Sequence, residues 1–441
     1  MDGEHLKAHR AQSLGLIREG FAAVSARPDV FASELYEDFF AANPRYRRYF
    51  ATDADRRDAK TVETATRIVA ELDKPGTLLP YLRKLALEYR KYGVREAHYR
   101  AFAGSVMTAL ERTIGESWTF EAAEAWVDEL TMVASAMLGI AAEADAQGPA
   151  YWEAEVVSVE PIAEDIVSLK ARPAFAYDYR PGQYAAVEVG RLPWVWRDFS
   201  FAGVPRREPD GGTVLEFHVQ RSVHGQVTTV IHDELQPGDR IRVSTPAGEL
   251  AFPAGASRLI AVGHGTGVAP IAALFEEAVE HGDERPLHLV VGNSRSTAAK
   301  KAAGAKKKAA EKAAAGKAAA AQAAQAQATA AAAAWAGAEV AEALASGNGG
   351  RAEEPGHYLA ERLEQLARAH GNVTLTYVGE AETLPQQLAA YVAAVAADAA
   401  DGTLAGWGGV AVGSTPTVQA CLDVLAAAGA DPADVRSDLF G

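Results

Sequence analysis

Hydrophobic residues change their spacing twice along this chain, and each change marks a different architecture. From residue 12 to residue 140 apolar positions recur every three or four residues, with Leu14, Ile17, Phe21 and Val24 on one helical face and Phe31, Leu35 and Phe39 on the next. Pro44 and Pro75-Gly76 interrupt the pattern, and Thr119 is placed to cap a last helix whose stripe is Trp126, Leu130, Val133 and Met137. The spacing predicts an all-α domain over residues 1–147. From Glu153 the period falls to two: Leu215, Phe217 and Val219 alternate with Glu216, His218 and Gln220 after an Asp210-Gly211-Gly212 turn. Turn signals at Pro181-Gly182 and Pro237-Gly238-Asp239 bound further short strands, so residues 151–254 read as a small antiparallel barrel. Beyond residue 257 a strand (259–262), a glycine loop, a helix (269–280) and a strand (287–291) follow one another. That alternation predicts a doubly wound parallel sheet over residues 257–441.

A chain of 441 residues is too long for one core and suits this division into three domains. The net charge of −15 argues against general nucleic-acid binding. Met1-Asp2-Gly3-Glu4-His5 carries no basic region followed by an apolar run, and no uninterrupted apolar stretch reaches the ~18 residues that span a bilayer. A cytoplasmic protein with no membrane partner is expected. The single cysteine, Cys421, excludes an intramolecular disulfide and any cysteine-rich metal or iron–sulfur site.

One stretch fits none of the three patterns. Between Ala298 and Ala334 there is no Leu, Ile, Val, Phe or Met, and residues 300–317 hold seven lysines and one glutamate, a local charge of +6. Without large apolar groups such a segment cannot join a core. It reads as a low-complexity Ala/Lys insertion at about 298–350, either simply solvated or serving as a docking arm for an anionic surface.

Two short segments carry the chemistry. Arg197-Asp198-Phe199-Ser200 combines a guanidinium that can grip a pyrophosphate, an aromatic face that can stack on a flat ring and a hydroxyl for that ring's edge. Those are the needs of FAD. Gly225-Gln226-Val227-Thr228 adds a close backbone approach and a helix start with a hydroxyl for phosphate. Gly263-His264-Gly265-Thr266-Gly267-Val268-Ala269-Pro270 then follows a predicted strand and opens a helix, the context of a nucleotide-binding loop. Each glycine loop alone could be no more than a tight strand-to-helix turn. Their order, with Val412-Gly413-Ser414-Thr415-Pro416 at a second strand end, points to a flavin site followed by a nicotinamide site.

At this spacing the segments resemble the ferredoxin-reductase family, whose flavin motif is Arg, any residue, Tyr, Ser. Phe199 stands where the family has tyrosine, which keeps the stacking face and loses the phenolic hydrogen bond. The resemblance places Tyr184, in Pro181-Gly182-Gln183-Tyr184, near the flavin. It also makes Phe440, in the terminal Ser437-Asp438-Leu439-Phe440-Gly441, the aromatic cover of the ring. Val412 stands where relatives often carry cysteine. Ser294-Arg295 is a candidate for an adenosine 2′-phosphate, a lean towards NADPH, or else an ordinary surface loop.

The helical part completes a second resemblance. Leu35-Tyr36-Glu37-Asp38-Phe39-Phe40, Asn43-Pro44, Phe50, Tyr92-Gly93-Val94, His98-Tyr99 and Trp126 are similar to a globin, and a globin fused ahead of this reductase is the arrangement of the flavohaemoglobins. By that likeness Tyr36 is the distal tyrosine and Phe50 the haem wedge. The proximal histidine position holds Tyr89. Its supporting tyrosine is Tyr99, whereas the supporting glutamate falls on Ala141, with Glu143 two residues away. His5, His9 and His98 are the histidines of the first 200 residues, and none is a ready substitute. Three readings of Tyr89 stand side by side: a packed core tyrosine in a haem-free pocket, a haem-iron ligand through its phenolate, as in catalase, or a misaligned helix with another ligand.

The resemblance implies an oxidoreductase in which NAD(P)H gives hydride to FAD, with Ser200 and Phe440 at the flavin. Electrons would then pass to haem, with Tyr36 distal, in a nitric oxide dioxygenase if haem is bound. The alternative is a haem-free NAD(P)H:flavin reductase that serves oxygen, a quinone or a partner protein.

Overall fold

Proline fixes φ and lacks an N–H, so it is at home in the first turn of a helix. In the computed structural model Pro28 and Pro75 open α2 and α4, and Pro44 opens a 3-10 turn; the interruptions in the sequence pattern are helix starts. The structure describes residues 3–50, 54–207, 212–222, 225–293, 357–380, 384–397 and 403–440. The Ala/Lys insertion and Ser294-Arg295 lie outside the described residues. Two units are separable: Met1–Tyr151 with Pro193–Val195, and Trp152–Leu192 with Trp196–Gly441.

The first unit contains α1 (Gly3–Ala26), α2 (Pro28–Ala42), α3 (Ala54–Glu71), α4 (Pro75–Arg90), α5 (Glu96–Ile114) and α6 (Phe120–Gln147). The Thr119 hydroxyl accepts from the Ala122 N–H and caps α6 as its position in the sequence suggests. Ile17, Val24, Leu35, Leu82 and Leu110 are buried in one core with Trp126 and Met137. Buried Glu129 of α6 is paired with Arg10 of α1, so this buried carboxylate is matched across helices. By length and composition alone α6 could cross a membrane, yet its Trp126 and Met137 belong to this core.

The second unit begins with β1 (Tyr151–Ala163), β2 (Ile166–Pro173), β3 (Tyr184–Val189), β4 (Trp196–Ser200), β5 (Arg206–Arg207), β6 (Thr213–Gln220), α7 (Gln226–Asp233) and β7 (Arg240–Ser244). The strands form a sheet in the order β4-β3-β7-β1-β2-β6-β5. A bridge between Phe201 and Phe217 curls it back on itself. Leu215, Phe217 and Val219 point inward and are fully buried. His218, which alternates with them along β6, is also buried, at 8% exposure. At Gly182 (φ +80°) a Cβ would come 2.1 Å from the Leu250 carbonyl oxygen, which leaves room for glycine only.

The chain continues through β8 (Arg258–His264), a 3-10 turn (Gly265–Gly267), α8 (Val268–Glu280), β9 (Leu287–Asn293), α9 (Ala360–Ala369), β10 (Val373–Glu380), α10 (Leu384–Ala397), β11 (Trp407–Ser414), α11 (Thr415–Ala427) and β12 (Val435–Phe440). These strands run parallel in the order β10-β9-β8-β11-β12. Alternate residues serve opposite faces: Leu259, Ala261, Leu289 and Val410 pack with α8 and Leu363, whereas Ile260, Val262, Val290 and Ala411 pack with Leu388, Val392 and Leu425. The sheet is doubly wound. Its order reverses between β8 and β11, where such sheets open a ligand crevice beyond their carboxyl ends.

Within this sheet His288 of β9 is hydrogen-bonded to the Tyr391 hydroxyl of α10 at 2.7 Å. Burial, helped by Arg258, holds the imidazole down at about 4. A base depressed below its free value near 6.5 contributes stability in full above that value and loses it as pH falls through 4. Acidification from pH 7 to 4 should therefore lower the melting temperature of the second unit, with roughly 3 kcal/mol as the ceiling for this site. Melting curves of His288→Leu, which has no proton to gain, should fall less steeply over the same range.

Candidate functional site

Extended backbone sends successive side chains to opposite faces, so β4 presents Arg197 and Phe199 on one side and Asp198 and Ser200 on the other. Ser200 pairs with Tyr184 across β3, which brings the two halves of the predicted flavin motif together. The exposed Arg197 uses one N–H on the carbonyl of Trp196, at 2.8 Å. The Ser200 Oγ is buried without a hydrogen-bond partner among the described residues. A buried hydroxyl left so costs about 1–3 kcal/mol, and a ligand edge with a polar atom would relieve it.

At the N-terminus of α7 a Cβ on Gly225 would lie 2.5 Å from Thr228 Oγ1 and 2.8 Å from Ser222 Cβ, so the turn requires glycine. The Thr228 hydroxyl, expected to face phosphate, closes this turn instead: it donates to the Gly225 carbonyl at 3.0 Å and accepts from the Ser222 N–H at 3.2 Å. Val227 is fully buried. What α7 offers a phosphate is its first-turn amides, those of Gln226 and Val227 among them.

The glycine turn after β8 is locked by backbone contact. A Cβ on Gly267 would stand 2.6 Å from the Val412 carbonyl oxygen and 3.0 Å from the Gly413 nitrogen; one on Gly263 would meet Val268 and Ile271 at 2.9 Å. Gly265 adopts φ +59°. Val268, Ala269 and Pro270 are buried and hold the start of α8, leaving partly exposed Thr266 and the turn's backbone to meet a ligand. The backbone of Phe440 lies opposite Ser414 in the β12–β11 ladder, beside this turn; its side chain lies outside the described residues. Sequence reading missed His357, whose ring is hydrogen-bonded to the Gly265 carbonyl at 3.0 Å. Its only signal was a histidine just before the α9 stripe.

In the helical unit Tyr36 is buried, and its hydroxyl lies 2.6 Å from Thr61 Oγ1 of α3. Thr61 donates to the Arg57 carbonyl, so Tyr36 donates to Thr61. The Arg57 guanidinium sits 3.9 Å from the Tyr36 ring centre. Phe50 wedges edge-on among Phe39, Phe40 and Tyr36 at 5.3–5.6 Å. Tyr89, on α4 with Leu82 and Leu85, packs against the same core. Burial raises its phenol, and Tyr99, Tyr36, Tyr81 and Glu88 raise it further. Tyr99 is pushed up to about 12 by burial. His98 is committed elsewhere: Nδ1 accepts the Arg95 N–H at 2.9 Å and caps α5. Glu143 pairs with Arg83 at the surface, 3.7 Å apart, rather than with the tyrosines.

Comparison with known proteins gives this geometry its setting. The Globin family matches residues 33–137 and the Oxidoreductase FAD-binding domain family matches residues 153–252. The Flavohemoprotein of Bacillus subtilis (strain 168) is 21% identical over 294 residues, 63% of this chain and 72% of that protein. The Flavohemoprotein of Deinococcus radiodurans is 24% identical over 296 residues, 62% of this chain and 71% of that protein. The crystal structure of a flavohemoglobin from Malassezia yamatoensis with bound FAD and heme superposes with a TM-score of 0.66 at 17% identity, covering 97% of this chain and 98% of that one, which is a likeness of fold. A globin joined to an FAD-binding barrel and a doubly wound domain defines a class of fused oxidoreductases. This chain carries a globin domain and an FAD-binding domain in the order of the flavohemoproteins, to which it is similar.

Ser200 supplies a test with opposite signs in two measurements. In Ser200→Ala the flavin-free protein should melt no lower than wild type, since an unsatisfied hydroxyl is removed, while FAD should bind on the order of ten times more weakly. Calorimetry of the apoprotein together with FAD titration reads both.

Proposed function

We propose that this chain is an NAD(P)H-dependent FAD oxidoreductase, organised as a globin domain (1–147), an FAD barrel (151–254) and a nicotinamide domain (257–441). The observation that carries this reading is the orphaned Ser200 hydroxyl on β4, in the same unit as a glycine turn locked at the switch point of a doubly wound sheet. The residues fit FAD. Arg197 would pair with the pyrophosphate, Phe199 stack on the ring system, Ser200 and Tyr184 meet its edge, and the Gly225–Thr228 turn approach the phosphates. Thr266 and the backbone of Gly265–Pro270, with Gly413, would receive the nicotinamide nucleotide, and Ser294 and Arg295 its adenosine end. Phe440 would cover the ring and exclude water until the nicotinamide displaces it. The flavin supplies two-electron acceptor chemistry; the protein supplies orientation and electrostatics.

Onward transfer to a haem in the globin domain, for nitric oxide dioxygenation, is the course the flavohaemoglobin relatives suggest. In that reading Tyr36 is distal and Tyr89 holds the iron. A phenolate donor favours ferric iron, so ferrous oxygen chemistry is disfavoured at such a site. A second reading, a haem-free flavin reductase delivering electrons to oxygen, a quinone or a partner protein, is favoured by a specific observation: burial, with Tyr99, Tyr36, Tyr81 and Glu88, holds Tyr89 as a neutral phenol. The acidic balance and the family's character support a cytoplasmic protein without nucleic-acid or membrane partners.

Anaerobic addition of NAD(P)H to the purified protein should bleach flavin absorbance; a protein with no bound FAD and no reduction would remove the proposal. The same spectrum separates the two readings, since an intense Soret band reports haem and flavin bands alone report its absence. Tyr89→His should raise haem content if position 89 faces the iron.

A further inference from the structure

His357 and Tyr358, just before α9, and Arg362 within it make a set of directed contacts that neither nucleotide motif requires. His357 Nε2–H donates to the Gly265 carbonyl at 3.0 Å, and its Nδ1 accepts the Leu359 N–H at 3.2 Å, which fixes the tautomer. Tyr358, the next residue, lies 3.0 Å from Nδ1 of His218 on β6. His218 Nε2 is 3.2 Å from Glu216 Oε1, to which Ser168 Oγ also donates at 2.8 Å. Burial would raise the Glu216 carboxyl, but its bonds from His218 and Ser168 bring it down to about 2, so it is ionised and must accept. His218 Nε2 therefore carries the proton that Glu216 accepts, and Nδ1 pairs with the Tyr358 hydroxyl. Four residues later Arg362 donates to the Ala202 carbonyl at 2.9 Å and grips Glu276 of α8 at 2.7 Å.

Each end of this chain of bonds is fixed to a nucleotide motif. Gly265 is the glycine turn itself. Glu216 and Ala202 are joined backbone to backbone at 2.9 Å, two residues past Ser200. The short stretch 357–362 thus spans from the flavin strand to the nicotinamide turn, and every polar group named in it has a partner. Burying an imidazole, a phenol and a carboxylate together is no better for stability than packing apolar residues. What directed bonds add is a single spacing.

We propose that residues 357–362 are a clamp that sets the distance between flavin and nicotinamide, with Tyr358 as its positioning residue. The proposal rests on the reading of this unit as a reductase. Hydride transfer depends steeply on alignment, with a misplacement of about 1 Å worth up to ~100-fold. Tyr358 acts through His218 and the backbone bonded to Glu216.

The test uses full-length FAD-loaded protein and three variants. Tyr358→Phe keeps the ring and removes the bond; His218→Leu removes its acceptor; His218→Gln retains an acceptor for Tyr358 and a donor for Glu216. For Tyr358→Phe and His218→Leu, single-turnover flavin reduction at saturating NAD(P)H should slow roughly ten-fold while NAD(P)+ affinity changes less than about two-fold. The double variant should be no slower than either single one. His218→Gln should react as wild type. Independently of turnover, amide hydrogen exchange at residues 263–270 of the flavin-free protein should quicken in the first two variants and not in the third. Unchanged exchange and unchanged reduction in Tyr358→Phe would overturn the clamp, as would a His218→Gln protein as slow as His218→Leu. A wild-type protein that takes up FAD but is not reduced by NAD(P)H sinks the reductase reading beneath it, an outcome distinct from either.

Discussion

Gly267 lies so close to the Val412 carbonyl and the Gly413 nitrogen that a single added carbon would collide with backbone, and the nucleotide-binding half of the second unit is organised around that contact. It seats the turn after β8 against the end of β11, the two strands between which the sheet order reverses. Backbone cannot yield as a flexible side chain does. The crevice is therefore fixed by main-chain geometry, and side chains such as Val268 and Ile271 only fill the space behind it.

This explains why so much of the second unit was legible in sequence. A β-branched run, glycines at fixed intervals and an apolar helix encode a main-chain arrangement directly, and the strand from Arg258 and the helix from Val268 appear where the pattern puts them. Strand order in the two sheets was not readable, because pairing between distant segments leaves no local signature. The same limit hid the fate of His218. Period two sets it on the face opposite Phe217, and Tyr358, which is hydrogen-bonded to it, lies 140 positions away. Thr228 failed differently: its residue type suits either a phosphate or a turn, and the turn, being three residues away, takes the hydroxyl.

The helical unit shows how one side chain can divide fold from chemistry. Its core, from Ile17 to Met137, needs nothing from position 89 but bulk and apolarity, and Tyr89 meets that need. An imidazole there would bring a lone pair at neutral pH; a phenol surrounded by protein, other phenols and Glu88 keeps its proton. The architecture of a globin is thus compatible with donors of very different affinity for iron. Sequence could locate the position but not weigh the surroundings that decide its protonation, because Tyr36, Tyr81 and Tyr99 converge on it only in three dimensions.

The unpartnered hydroxyl of Ser200 has a consequence for the living cell. A polypeptide that carries such a defect when empty gains stability by filling it, by mass action on the folded state. Vitamin supply would then govern how long each copy survives proteolysis, so that a riboflavin-starved cell would hold fewer molecules rather than the same number of idle ones.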